Sequence, residues 1–139
     1  MILTKMKLKD LKTSAISKGS KLLASVPFII VAGVLINTWH KFYNDEYDAS
    51  LLHYITLTVS FMNGILYLIR FKTALLVTGA ILVLASFSLL CLFVHRSSFL
   101  TIFGITIPFE GWSFLILIFY FALNFDILIN WYLDAKSIK

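Results

Sequence analysis

The chain has 139 residues, of which 60% are hydrophobic and only 14% are charged, and its formal net charge is +5. Soluble proteins carry about 25% charged residues, so this composition excludes an ordinary water-soluble domain. The basic residues lie beside long apolar blocks rather than on an aromatic and basic surface, which argues against nucleic acid as a partner. A single cysteine, Cys91, excludes an internal disulfide and every multi-cysteine metal motif.

Residues 1–21 form a basic N-terminal tail, MILTKMKLKDLKTSAISKGSK, in which Leu and Met are interspersed with lysines. Such a pattern can lie on a membrane as an interfacial amphipathic helix, or it can be a solvated segment that only fixes the orientation of the chain. The sequence leaves both alternatives open. In either case we expect anionic lipids of the bilayer to be partners of this tail.

Four apolar blocks follow, at residues 22–39, 51–69, 73–94 and 112–133, and each is long enough to cross the ~30 Å hydrocarbon layer as a helix. Helices are expected because lipid leaves no backbone polar group without an internal partner, and the blocks lack the alternation of barrel strands. The sequence therefore predicts an all-α, polytopic membrane protein. Its four-transmembrane-helix bundle occupies residues 22–133 and is followed by a short tail at 134–139.

The lysines and arginines predict the orientation of this bundle. All of them except Lys41 and Arg96 fall in the N-terminal tail, the connection between the second and third spans, or the C-terminal tail. The positive-inside rule then places both termini in the cytoplasm. We expect a multi-pass protein of the bacterial inner membrane, although an organelle membrane would produce the same pattern.

The second span carries small and polar side chains along one face. Thr56, Ser60 and Gly64 recur every four residues, and Asn63 lies on the same face. This spacing lets another helix approach closely, while Asn63 can form a hydrogen bond across the contact. We predict a helix-packing seam at these four residues. The alternative is a water-lined path along the same face.

The connection between the third and fourth spans, HRSSFLTIFGITIPFEG, contains two short extended runs on either side of Gly104. As a free aqueous loop it would expose a costly apolar patch. We expect it to dock onto the protein's own helices or onto a partner, through Phe99, Phe103, Ile105 and Phe109.

The fourth span contains an acid, Asp126, about 7–8 Å inside the boundary at Trp131. A carboxylate at this depth has to be paired, hydrated or protonated. Arg70 lies at the same level and can reach towards it, so we predict an intramembrane charge tie between Asp126 and Arg70. The alternative is a carboxylate that handles protons or ions.

No catalytic residues, cofactor or metal site are predicted. The sequence lacks a Gly-rich phosphate loop, G-x-S-x-G and H-E-x-x-H. The histidines His40, His53 and His95 fall at the outer ends of spans, without the close spacing of a metal site.

The function favoured by the sequence is non-catalytic. We expect an accessory or scaffold subunit, or an immunity-type inhibitor, that binds a membrane-protein partner or a second copy of itself. The alternative is an oligomeric small transporter or channel that uses the polar face of the second span and Asp126.

Overall fold

The computed structural model describes residues 18–44, 47–94 and 98–137. Within these ranges the chain forms four helices, α1 (Lys18–Tyr43), α2 (Leu51–Ile69), α3 (Phe71–Ser86) and α4 (Gly111–Ser137). Two antiparallel strands, β1 (Ser98–Ile102) and β2 (Ile105–Phe109), form a hairpin between α3 and α4. An interfacial helix within residues 1–17 of the tail lies outside the described residues.

Three of the helices, α1, α2 and α4, are long and apolar enough to cross a membrane, and α3 is a shorter apolar helix. Large apolar side chains cover the outside of the bundle, and Leu68 and Ile36 are 88% and 72% exposed. This surface is typical of an integral membrane protein and would be unusual on a protein that faces water. The number of helices agrees with the sequence prediction.

Two details of the prediction need correction. The third predicted span, residues 73–94, is helical only as far as Ser86, and the chain then continues in a non-helical conformation. The extended runs around Gly104 form a true β-hairpin, so the chain is not strictly all-α. The second span was predicted at the bounds that the structure gives to α2, and α1 and α4 extend beyond their predicted spans.

The core of the bundle is centred on α3, which packs against both α2 and α4 and also touches α1. Its side chains Leu75 and Leu82 are fully buried, together with Val31 of α1 and Tyr120 of α4. The shortest helix, α3, is central to the bundle because its apolar side chains are buried against three neighbouring helices. The other three helices therefore pack on one side of α3, whose opposite face, with Leu76, Val83 and Leu84, is exposed.

The two ends of the bundle differ in character. One end, here called the basic end, carries Lys21, Arg70, Lys72 and Lys136. The other, the hairpin end, carries the last turn of α1, the first turn of α2 and the β-hairpin. The connection between α2 and α3 lies at the basic end and consists of Arg70 alone.

Candidate functional site

The end of α3 is defined by backbone hydrogen bonds. The N–H of Ser88 donates to the carbonyl of Ala85, and the N–H of Leu89 donates to the carbonyl of Leu84, both at 2.9 Å. This pair of bonds is a Schellman motif, which requires a left-handed residue just after the helix. Ser88 adopts that conformation, with φ 55°, in place of the usual glycine. Residues 87–94 therefore leave the helix, and we call them the unwound segment.

The middle of the unwound segment is buried in the hairpin end of the bundle, where Cys91 and Leu92 are 6% and 0% exposed, whereas Phe87 and Leu89 at its start are exposed. Backbone that is buried outside a helix needs hydrogen-bond partners within the protein. Thr38 of α1 donates its hydroxyl to the carbonyl of Leu92 at 2.8 Å. Thr56 of α2 accepts the N–H of Cys91 at 3.0 Å. Two helices thus supply the hydrogen bonds that the missing helical turns would have made.

Both backbone groups of Phe93 bind ionisable side chains. Its N–H donates to the carboxylate of Glu110, and its carbonyl lies 3.1 Å from Nε2 of His53. Nδ1 of His53 lies 3.2 Å from the backbone N of Ser50 and 2.8 Å from its hydroxyl. A backbone N–H can only donate, so Nδ1 is an acceptor, and the network assigns the ring proton to Nε2, which donates to Phe93.

Glu110 joins three parts of the fold. It is 7% exposed and directly precedes α4, and it accepts the hydroxyl proton of Ser113 at 2.6 Å. Its own N–H donates to the carbonyl of Ser86, the last residue of α3, at 2.9 Å. Burial raises the pKa of the Glu110 carboxyl to about 7, against the opposing effect of the hydrogen bonds from Ser113 and Phe93. Glu110 therefore changes its protonation state near neutral pH.

The predicted packing seam faces the interior of the bundle. The buried residues of α2 are all polar: His53, Thr56, Ser60 and Asn63. Asn63 donates its amide to the hydroxyl of Thr78 in α3 at 2.9 Å, and the hydroxyl of Tyr67 lies at the same distance from that atom. Gly64 faces α1, and a Cβ at this position would lie 3.4 Å from the Phe28 ring. The hydroxyl of Thr56, the amide N–H of Asn63 and the Gly64 position are thus used within one copy of the chain, whereas the buried Ser60 hydroxyl and Asn63 Oδ1 have no hydrogen-bond partner among the described residues.

The predicted tie between Asp126 and Arg70 involves two exposed side chains. The structure does not bring them together as an ion pair within the described residues. One contact that joins α3 and α4 is made by Tyr120, whose hydroxyl donates to the carbonyl of Leu75 at 2.8 Å. The Tyr120 ring packs on Gly79, where a Cβ would lie only 3.0 Å from it.

The β-hairpin projects from the bundle and exposes its apolar side chains. The exposed fractions of Phe103, Phe99 and Ile105 are 100%, 72% and 65%, and Phe109 is half-buried at the base, with its ring 5.2 Å from that of Phe114. Phe103 and Gly104 form the two-residue turn between Ile102 and Ile105, with φ values of 51° and 80°. Positive φ at both positions defines a type I′ turn. Three of the predicted docking residues therefore have little contact with the protein's own helices.

No cluster of three or more His, Cys, Asp or Glu side chains suited to a metal ion occurs among the described residues. His95 lies outside those residues, so the predicted set of histidines is described only at His40 and His53. His53 already uses both ring nitrogens within the protein.

Three important side chains escaped sequence reasoning: Thr38, Glu110 and Tyr120. Each acts on a backbone group far away in the chain, and the sequence gives no local signal for such a partner. Glu110 offered a partial signal, because an acidic side chain directly before a helix is in the N-cap position, where it interacts favourably with the helix N-terminus. Comparisons with family models, curated proteins and solved structures found no match to the chain.

Proposed function

We propose that this chain is a non-catalytic membrane protein that binds a second membrane protein through its β-hairpin, as an accessory or scaffold subunit or as an immunity-type inhibitor. The observation that carries the proposal is the exposed apolar hairpin, with Phe103 fully exposed at its tip. The four-helix bundle serves as the base that presents this hairpin.

The backbone conformation of Phe103 supports a role for its side chain in binding another protein. Type I′ turns favour Asn, Asp or Gly, because L-residues with a bulky side chain are strained at positive φ. Strain of this kind amounts to about 1–3 kcal/mol. Phe103 has φ 51° and is fully exposed, so no contact within the described protein offsets the strain. A partner that accepts the ring would offset it, and aromatic anchors are typical of interface hot spots.

The rest of the hairpin supports the same interpretation. Within the part of the chain that the structure describes, its two strands pair only with each other, so both outer edges offer unpaired backbone groups that another strand can bind. Phe99 and Ile105 add apolar area beside the tip. A patch of this composition on a protein surface marks an interaction site.

The location we propose is the bacterial inner membrane, with both termini in the cytoplasm. The distribution of charge supports this orientation, because Lys21, Arg70, Lys72 and Lys136 all lie at the basic end of the bundle. The hairpin then meets its partner on the periplasmic side.

A transporter is the weaker proposal. The polar side chains of α2 that would line a conduction path are buried against α3 and the unwound segment, and Asn63 and Thr56 already have partners there. This argues for packing rather than conduction along that face.

The test replaces Phe103 with a photo-reactive phenylalanine analogue in the source membrane, with the same replacement at Tyr43 as the control. Tyr43 is 87% exposed at the same end of the bundle but lies outside the hairpin. We expect one cross-linked protein product from position 103 and none of that mass from position 43. Cross-links from position 103 to lipid alone would refute a protein partner.

A second variant, Phe103→Asn, removes the ring and leaves a residue that suits a type I′ turn. We expect this variant to be folded at least as well as the parent and to lose the partner. Retention of the partner by Phe103→Asn would also contradict the proposal.

A further inference from the structure

A lateral groove separates the middles of α1 and α2. The two helices meet near its ends through aromatic contacts, with ring centroids 4.7 Å apart for Phe28 and Tyr67, and 5.0 Å apart for Trp39 and Tyr54. Between these contacts lies a space of about 650 Å³. Small residues lie at the middle of the groove, and bulky aliphatic and aromatic side chains line the rest of it.

The lining of the groove suits a hydrocarbon chain. Apart from the Ser60 hydroxyl and the Trp39 indole N–H, its side chains are apolar. Along α2 the groove runs from Leu57 to Leu68. Eleven residues of helix rise about 16 Å, or about half of the ~30 Å hydrocarbon layer. This length corresponds to the depth of one leaflet, which is the depth that one acyl chain occupies.

A basic pocket of about 350 Å³ lies at the end of this groove, lined by Lys21, Arg70, Phe71, Lys72 and Thr73. Its lining among the described residues includes three cations and no carboxylate. Lys21 is held with its Nζ 5.9 Å from the centre of the Phe71 ring, which brings α1 to the start of α3. Concentrated positive charge between membrane helices is typical of a binding site for an anionic lipid headgroup.

The groove and the basic pocket are adjacent, and the contact between the Phe28 and Tyr67 rings lies between them. Leu68 lines the groove and lies two residues from Arg70, which lines the pocket. The rings of Phe28, Tyr67 and Phe71 form a column between them, with centroid distances of 4.7 Å and 5.7 Å. A molecule with a negative head and a long apolar chain would match both parts at once.

We propose that the groove and the basic pocket together bind one anionic phospholipid from the leaflet at the basic end. Its phosphate lies among Lys21, Arg70 and Lys72, and one acyl chain lies between α1 and α2. The inference rests on the membrane location proposed above and is independent of the hairpin and its partner. It also differs from general attraction of the N-terminal tail to a charged surface, because it requires a shaped site within the described bundle.

The test is native mass spectrometry of the full chain in detergent with added phosphatidylglycerol or phosphatidylcholine. We expect the chain to retain one phosphatidylglycerol in preference to phosphatidylcholine. Lys21→Gln or Arg70→Gln should lower the affinity for phosphatidylglycerol about fivefold each, the effect of one cation near anionic lipid. Lys136→Gln is the matched control, because it removes an exposed cation from the same end of the bundle but outside the pocket.

A groove variant tests the acyl chain separately. Ala32 lines the groove and is half-buried, so Ala32→Leu fills part of the space while leaving the three cations in place. We expect it to reduce retention of phosphatidylglycerol, with a melting temperature close to that of the parent. Equal retention of the two lipids, an equal effect of Lys136→Gln and Arg70→Gln, or no effect of Ala32→Leu would each overturn the proposal. Phe103→Asn should bind lipid normally, so a failure of the hairpin proposal would be seen separately.

Discussion

Thr56→Val removes one of the two hydrogen bonds that hold the unwound segment to α2, together with the bond from the same hydroxyl to the carbonyl of Leu52. Valine has nearly the same shape as threonine, but it cannot accept the N–H of Cys91, which now lies 3.0 Å from the Thr56 hydroxyl. Thr56 is 0% exposed and Cys91 is 6% exposed, so water cannot replace the lost partner. A buried donor left without a partner costs about 1–3 kcal/mol.

Thr58→Val provides the matched control on the same helix. Thr58 is exposed on the opposite side of α2, and its hydroxyl donates to the carbonyl of Tyr54, four residues earlier in the same helix. Replacing it removes a local bond whose acceptor stays within the helix, so we expect little change in stability. The two variants make the same chemical change and differ in whether a distant N–H loses its partner.

The measurement is thermal unfolding of both variants in the same detergent, read as a difference in melting temperature. A loss of about 1–3 kcal/mol should lower the melting temperature of Thr56→Val by several degrees. Amide hydrogen exchange gives a second, direct result, because the N–H of Cys91 should exchange faster in Thr56→Val and at the parent rate in Thr58→Val. Equal melting temperatures and equal exchange rates at Cys91 would show that the unwound segment does not depend on Thr56.

Three further predictions concern other parts of the structure. The raised pKa of Glu110 means that the folded chain binds a proton more tightly than the unfolded chain, so stability should fall as pH rises from the ordinary value of 4.5 to about 7, by at most about 3 kcal/mol. Glu110→Gln should remove this pH dependence of the melting temperature. If the variant had the same pH profile as the parent, Glu110 would not be the group responsible. Gly79→Ala should destabilise the chain by about 1–3 kcal/mol, because its methyl group would lie 3.0 Å from the Tyr120 ring. Gly33→Ala is the control, because a methyl group there would have no neighbour within 4 Å, and it should be neutral or stabilising in the same unfolding assay. The orientation can be tested with single cysteines in a Cys91→Ala background. Phe103→Cys should react with an impermeant maleimide added from the periplasm, whereas Lys136→Cys should react only after the membrane is opened. Equal reactivity of both cysteines from one side would refute the proposed orientation.

The helices were predictable where hydropathy and local signals coincide. The second span matches α2 at Leu51–Ile69 because the apolar block is bounded by polar residues at Ser50 and Arg70. The third span was overextended because residues 87–94 are nearly all apolar, and hydropathy cannot distinguish a helix from a buried non-helical segment of the same composition. The stop is made by Ser88 at positive φ, a position where sequence reasoning expects glycine.

The candidate functional site at the hairpin end was predictable from the sequence only in part. Two short extended runs were predicted on either side of Gly104, because such runs beside a glycine are a local signal, but their pairing as a hairpin was not predicted. The environment of Glu110 was not predictable, since it depends on Phe93, and their contact exists only because α3 ends early. Asp126, the acid within a predicted span, is exposed, and the buried carboxylate among the described residues belongs to Glu110.

The early end of α3 also affects the lipid that would surround the protein. A helix of 16 residues rises about 24 Å, which is less than the ~30 Å hydrocarbon layer that the longer neighbours can cross. Such hydrophobic mismatch is relieved when the bilayer thins beside the short element. We expect the protein to thin the bilayer locally next to the unwound segment. It should therefore concentrate in regions where the bilayer is already thin. Membrane thickness would then help to determine where the protein meets the partner proposed above.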